Sequence, residues 1–144
     1  MSCKFKLAIF SVLLLSAGAL GAQPAFLVKD INLHSADAFP QNLKVFDGKL
    51  YFSADDGLHG TELWRSDGTA AGTALFSDLN PGSAGSDPQP WGKLGAGVIV
   101  ATQDTSTTTA LWKTDGTSGG TVRLHDFPFQ LSYSTVDSAA AALA

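Results

Sequence analysis

The sequence has one cysteine and one glutamate among its 144 residues, and both scarcities restrict the chemistry open to the chain. The cysteine is Cys3, which lies in an N-terminal segment that we predict to be removed. The mature chain then has no thiol, and so no disulfide, no cysteine nucleophile and no cysteine metal site. The glutamate is Glu62, so twelve of the thirteen acidic residues are Asp, a composition that favours turns over helices.

Basic residues are also few and are not clustered. Loss of Lys4 and Lys6 with the N-terminal segment would leave seven basic against thirteen acidic residues, a formal charge of −6. Contacts to phosphate groups require clusters of Lys and Arg, so nucleic acid is not expected as a partner. An anionic membrane surface is disfavoured for the same reason.

The N-terminal segment has the pattern of a secretory signal. Lys4 and Lys6 precede an apolar run at residues 7–15, and small residues follow up to Ala22. We predict a signal peptide at residues 1–22, cleaved after Ala22. The alternative, an uncleaved anchor, is disfavoured because a spanning helix needs about 20 apolar residues. We therefore expect no membrane span and an exported protein, either secreted or at the periplasm or cell surface.

An internal repeat is the main signal in the rest of the chain. Residues 27–73 align without a gap to residues 75–121, at an offset of 48. The identical pairs include Asp30 and Asp78, Pro40 and Pro88, Trp64 and Trp112, and Gly68 and Gly116. Repeats of this length are typical of solenoids and propellers, in which one unit cannot bury its apolar face alone. We assign unit 1 to residues 26–73, unit 2 to residues 74–121, and a truncated third unit with an unstructured tail to residues 122–144.

Each unit has the apolar pattern of short strands. Residues 26–31 open the first unit, and the pair Asp47-Gly48 separates two apolar runs. That pair predicts a type I′ hairpin turn, which requires positive φ at both positions; the second unit has Gly95-Ala96 there. The sequence therefore predicts an all-β fold of propeller-like blades, each of about four antiparallel strands. The set is incomplete, with two units and a stub after the signal segment.

A hairpin motif closes each unit. Its members are Leu63, Trp64, Asp67, Gly68 and Thr69 in the first unit, and Leu111, Trp112, Asp115, Gly116 and Thr117 in the second. Successive strand side chains face opposite sides, so the Leu and the Trp can enter different apolar layers. The Asp can accept backbone N–H groups across the turn, and the Gly supplies positive φ. We interpret the motif as structural, not catalytic.

The segment ELWRSDGT, residues 62–69, resembles the ELWxxDGT repeat of exported bacterial proteins. The preceding YFSADDGLHG, residues 51–60, strengthens the likeness, which extends over about residues 26–126. Unit 2 departs from the pattern, with Ala110 in place of Glu62. The resemblance implies a secreted, propeller-like repeat, and it implies no established biochemical activity.

Few side chains are candidates for a binding site or for catalysis. Asp55 and Asp56 could give oxygen ligands to calcium, but no Asp-x-Asp-x-Asp-Gly loop is present. Trp91, which aligns with Leu43, could stack on a sugar or could lie in the core. Ser118 lies in a Gly-x-Ser-x-Gly pattern, yet it aligns with a repeat turn and not with a nucleophile elbow. We therefore predict no catalytic residue, and no cofactor unless calcium binds.

Three functions are compatible with the sequence. The leading hypothesis is a non-enzymatic secreted repeat module, a scaffold or a protein- or glycan-binding surface. The second is a fragment of a larger exported enzyme whose catalytic region lies outside this chain, and the third is a calcium-dependent adhesive module. Repeat arrays generally need at least about three units, so further repeats or other copies of the chain are the expected partners.

Overall fold

The regular structure in the described part of the chain is β-strand. A computed structural model describes residues 25–34, 36–103 and 109–128, and within these ranges eight strands form two antiparallel four-stranded sheets. The all-β prediction is confirmed. The predicted signal peptide and the tail from residue 129 onward lie outside the described residues. In the part described, no helix is long and apolar enough to cross a membrane.

Both sheets are simple meanders, in which each strand pairs with the next. The first contains β1 (Gln41–Phe46), β2 (Lys49–Asp55), β3 (Thr61–Ser66) and β4 (Ala74–Ser77). The second contains β5 (Gln89–Leu94), β6 (Gly97–Gln103), β7 (Thr109–Thr114) and β8 (Val122–Phe127). The two sheets correspond at the 48-residue offset even in their irregularities, since the register shifts after Leu63 in one and after Leu111 in the other.

The turn between β1 and β2 has the predicted backbone. Asp47 has a φ of 49° and Gly48 a φ of 69°, as a type I′ hairpin requires. In the matching turn between β5 and β6, Gly95 has a φ of 62° and takes the left-handed position itself. Glycine adopts that region without the steric cost that Ala96 would meet there.

The sheet boundaries differ from the predicted unit boundaries by one strand. Residues 74–77, assigned to the start of unit 2, form β4 and complete the first sheet. Residues 122–127, assigned to the third unit, form β8 and complete the second. The prediction of a strand at residues 26–31 was wrong, since this segment has only an isolated bridge at Leu27. The equivalent segments, β4 and β8, each pair with the sheet that comes before them in the chain. Among the described residues no sheet comes before residues 26–31.

Two apolar clusters form the core, on opposite faces of the first sheet. One joins the two sheets and contains Tyr51, Leu63, Phe76, Leu79, Val98 and Val100. The other lies beneath the N-terminal segment and contains Ile31, Phe52, Ala54 and Trp64. Adjacent residues Leu63 and Trp64 therefore enter different clusters, as strand alternation requires.

Candidate functional site

The first hairpin motif is a turn whose polar groups bond to one another. Asp67 Oδ1 accepts from the Thr69 N–H at 2.9 Å and from Thr69 Oγ1 at 2.7 Å. Thr69 Oγ1 accepts from the Gly72 N–H at 2.9 Å, and Thr73 Oγ1 donates to the Thr69 carbonyl at 2.7 Å. A Cβ at position 72 would collide with the Asp67 carboxylate, which explains the glycine there. These groups close the turn from within.

The second motif forms the same turn. Asp115 Oδ1 accepts from the N–H and the Oγ1 of Thr117 at 2.9 and 2.7 Å, and Thr117 Oγ1 accepts from the Gly120 N–H at 2.9 Å. The hydroxyl and amide bonds from Thr117 lower the pKa of Asp115, and those from Thr69 do the same for Asp67. Both aspartates therefore act as anionic acceptors within a turn.

The two motif tryptophans differ in how their indole N–H groups are bonded. Trp64 is buried, and its Nε1 has no hydrogen-bond partner among the described residues. Trp112 Nε1 donates to Thr102 Oγ1 at 3.0 Å. The position of Thr102 is occupied by Ala54 in the first sheet, which accounts for the difference.

The loop after β2 contains the proposed calcium ligands. Asp55 Oδ1 accepts from the Gly57 N–H at 2.7 Å, and Asp56 Oδ1 accepts from the N–H groups of Leu58 and His59 at 2.9 Å. Asp56 Oδ2 lies 2.7 Å from His59 Nδ1. Three of the four carboxylate oxygens are thus already bonded. Across the described ranges, no group of three or more His, Cys, Asp or Glu side chains could hold a metal ion.

The pair formed by Asp56 and His59 shifts both of their pKa values. Partial burial raises the pKa of Asp56, but the hydrogen bonds from His59 outweigh it, and the pKa lies below its ordinary value. The bond from Asp56 raises the pKa of His59 in turn. This ion pair stabilises the loop.

Glu62 is a buried carboxylate that the sequence reasoning did not select. Its Oε2 accepts from the Leu79 N–H at 2.9 Å and from Ser86 Oγ at 2.7 Å, and its Oε1 accepts from the Asn80 N–H at 3.3 Å. Burial raises its pKa, although the bond from Ser86 acts in the opposite direction. Glu62 therefore holds the first sheet to residues 78–88, which connect β4 to β5 and which we call the crossing segment. The sequence did contain a signal for this role, because Glu62 is the only glutamate and lies within a predicted strand.

Trp91 lies in β5 at a half-buried position. Its Nε1 is buried, with no hydrogen-bond partner in the part of the chain that the structure describes. The polar edge of the indole thus faces protein and not solvent. The equivalent residue of the first sheet, Leu43, is exposed.

A cavity of about 460 Å³ lies between the second sheet and the crossing segment. Its lining includes Asn80, Asp87, Thr102, Trp112 and Arg123. The Arg123 guanidinium carbon lies 5.3 Å from the centre of the Trp112 ring. At the 48-residue offset, apolar residues replace three of these five lining residues in the first sheet: Phe39, Ala54 and Leu75. Asp87, Thr102 and Arg123 therefore give this cavity polar groups that the equivalent positions of the first sheet do not have.

Known proteins give no further guide to this site. No family model, no curated protein and no solved structure matches the chain. The function must be inferred from the residues themselves.

Proposed function

We propose that the chain is an exported, non-enzymatic repeat module of propeller-like blades, a scaffold that presents a protein- or glycan-binding surface. The observation that carries this proposal is the equivalence of the two hairpin motifs. Asp67 and Asp115 accept from the threonine two residues on, with the same distances in both turns. Side chains bonded in this way stabilise a hairpin and are poorly placed to act on a substrate. The resemblance to the ELWxxDGT repeat points the same way.

The packing of the sheets supports the propeller-like part of the proposal. Each sheet is a four-stranded meander, and the Leu63 side of the first packs on the Val98 and Val100 side of the second. Four-stranded sheets that follow one another around an axis form the blades of a propeller. In this chain too, the second sheet follows the first in sequence and packs on its face.

The cavity beside Trp112 supplies the binding surface of the proposed module. Binding sites combine apolar walls with a few polar groups that fix orientation. Asp87 offers a carboxylate at this cavity. Asn80 Nδ2 donates to the Gly85 carbonyl at 2.7 Å and Arg123 Nε donates to Asp126 Oδ1 at 2.6 Å, so these two side chains are held in place at the cavity wall. Polar side chains of this kind match the hydroxyl-rich surface of a glycan. Because Phe39 and Leu75 take the positions of Asp87 and Arg123 in the first unit, we assign recognition to the second sheet.

The other two functions have less support. Within the described residues the aspartate oxygens of the β2–β3 loop bond to neighbouring donors, which leaves few for calcium. No contact among the described residues gives support to the hypothesis of a larger exported enzyme.

The proposal is tested on the full chain produced in a bacterial host. We expect export, a mature protein beginning at Gln23, no turnover of chromogenic glycoside, ester or peptide substrates, and retention on a glycan array. Asp87→Asn should weaken that retention. Asp47→Asn is the matched control, because both aspartates have a left-handed φ, 47° and 49°. Turnover that a point substitution abolishes, or full-length protein held in the cytoplasm, would contradict the proposal.

A further inference from the structure

The two faces of each sheet have different roles in the stack. We call the face containing Leu63 or Leu111 the Leu face, and the opposite face, containing Trp64 or Trp112, the Trp face. The Leu face of the first sheet packs against the Trp face of the second, where Val98 and Val100 lie beside Trp112. The contact is therefore directional, from a Leu face to a Trp face.

The Leu face of the second sheet has the same kind of residues, but within the described ranges no other sheet packs on it. Phe46, Tyr51, Leu63 and Phe76 pack into the cluster between the sheets. Their equivalents 48 residues later are Leu94, Ile99, Leu111 and Leu124. Leu94 is 55% exposed and Leu124 is 46% exposed. The second sheet thus presents an apolar face equivalent to the one that the first sheet buries.

The outer part of the first sheet's Trp face also has exposed apolar side chains. Val45 is 68% exposed and Leu43 is 50% exposed. Their equivalents in the second sheet are Lys93 and Trp91. Lys93 Nζ lies 2.7 Å from Asp47 Oδ2 of the first sheet, and Trp91 Nε1 is buried. Val45 therefore occupies a position that contacts the preceding sheet when one is present, and Leu43 occupies one that is then half-buried.

The glycine of the hairpin motif gives an independent indication. A Cβ at Gly116 would collide with the ring of Phe76, so the first sheet's phenylalanine seats directly on this turn. The equivalent glycine, Gly68, has nothing within 4 Å of the same point. The equivalent of Phe76 is Leu124. One chain thus contains both an open contact site, at Gly68, and the exposed side chain that can fill it, Leu124.

We infer that copies of this chain associate head to tail. The Leu face of one copy's second sheet docks on the Trp face of the next copy's first sheet, with Leu124 against Gly68. The inference rests on the proposed repeat module, and a second copy is the occupant because the chain itself holds both halves of the interface. At the intermolecular contact Gly95 and Val45 take the positions of Asp47 and Lys93, so neither member of that ion pair is present without its partner.

A directional contact of this kind does not saturate in a dimer. It gives a ring if the rotation between copies closes, and a filament if it does not. Each copy contributes two sheets. Closed propellers have about four to eight blades, so a ring would contain roughly two to four copies.

The test measures the mass of the full chain by sedimentation velocity and light scattering, from low to high micromolar concentration. We expect assemblies larger than a monomer. Leu124→Asp and Val45→Asp should each weaken association by about 30-fold or more, because a carboxylate would be buried unpaired at the contact. Leu58→Asp is the matched control: Leu58 is 62% exposed in the β2–β3 loop, so this variant should assemble like the wild type.

Mixing the two variants identifies the direction of the contact. Each keeps one intact face, so an equal mixture should form a dimer that grows no further. Three results would overturn the inference: a wild-type monomer at all concentrations, wild-type assembly of Leu124→Asp, or a mixture that stays monomeric. Substrate turnover and glycan retention of the same samples decide the repeat-module proposal separately, so a monomer that passes those assays refutes only the association.

Discussion

Replacing Glu62 with alanine removes the acceptor that holds the crossing segment to the first sheet. The substitution leaves the buried Leu79 N–H and the buried Ser86 hydroxyl without their carboxylate. An unsatisfied buried donor costs about 1–3 kcal/mol, so two cost roughly 2–6 kcal/mol. Relief of the carboxylate's own burial offsets part of this, and we expect a loss of about 2–4 kcal/mol in the free energy of unfolding.

Glu62→Gln is the matched variant for this substitution. Its amide oxygen can occupy the Oε2 position and keep the bonds from Leu79 and Ser86, while the bond from Asn80 is lost. That third bond is the longest, at 3.3 Å. We expect the glutamine variant to lose about 1 kcal/mol or less. Urea and thermal unfolding followed by circular dichroism should rank wild type first, then glutamine, then alanine, with the alanine midpoint lower by roughly 5–15 °C.

Acid separates the carboxylate of Glu62 from its glutamine replacement. The folded-state pKa of Glu62 is raised, so the charged form carries a stability cost above that pKa, and the cost disappears below the unfolded pKa of about 4.3. The wild type should therefore gain stability relative to Glu62→Gln as the pH falls from 7 to about 4. Wild-type unfolding in Glu62→Ala, or a constant difference between wild type and Glu62→Gln over this pH range, would refute the role assigned to the carboxylate.

Three further predictions concern the core and the loop. Trp64→Ala should cost about 3–5 kcal/mol in the free energy of unfolding, and Trp64→Phe distinctly less, because the phenyl ring fills most of the space; an unchanged urea midpoint in the alanine variant would remove Trp64 from the core. Thr102→Val should cost about 1–2 kcal/mol in the free energy of unfolding, because the Trp112 N–H loses its acceptor. Calorimetry with millimolar calcium should give no heat, since the Asp55 and Asp56 oxygens already accept bonds; heat that Asp56→Asn abolishes would support a calcium site instead.

The locally encoded features could be predicted from the sequence. The type I′ turn at Asp47-Gly48 and the all-β class depend on residues close together in the chain, and the structure has both. The strand predicted at residues 26–31 is absent, and the local pattern could not have shown this. Its apolar pattern is that of a strand, but a strand also needs a neighbour to pair with, and the pattern does not show whether one is present.

The contacts between sheets were harder to foresee. Glu62 bonds to residues 17 to 24 positions away, and no local pattern specifies those partners. The cavity beside Trp112 likewise depends on substitutions such as Leu75 to Arg123, which matter only once the two sheets are superposed in register. Residues that are identical in the two units form the shared turn. Residues that differ line the candidate binding site.

The central claim is that the two hairpin motifs stabilise the fold by the same turn, and unfolding of Asp67→Ala and Asp115→Ala measures this most directly. Both variants should unfold at lower urea concentration than the wild type, by similar amounts. The folded-state pKa of each aspartate is lowered, so its contribution is present above about pH 4 and is lost as the pH falls through the folded pKa. The account predicts that both deficits shrink below that pH. Wild-type unfolding of either variant at neutral pH would contradict it.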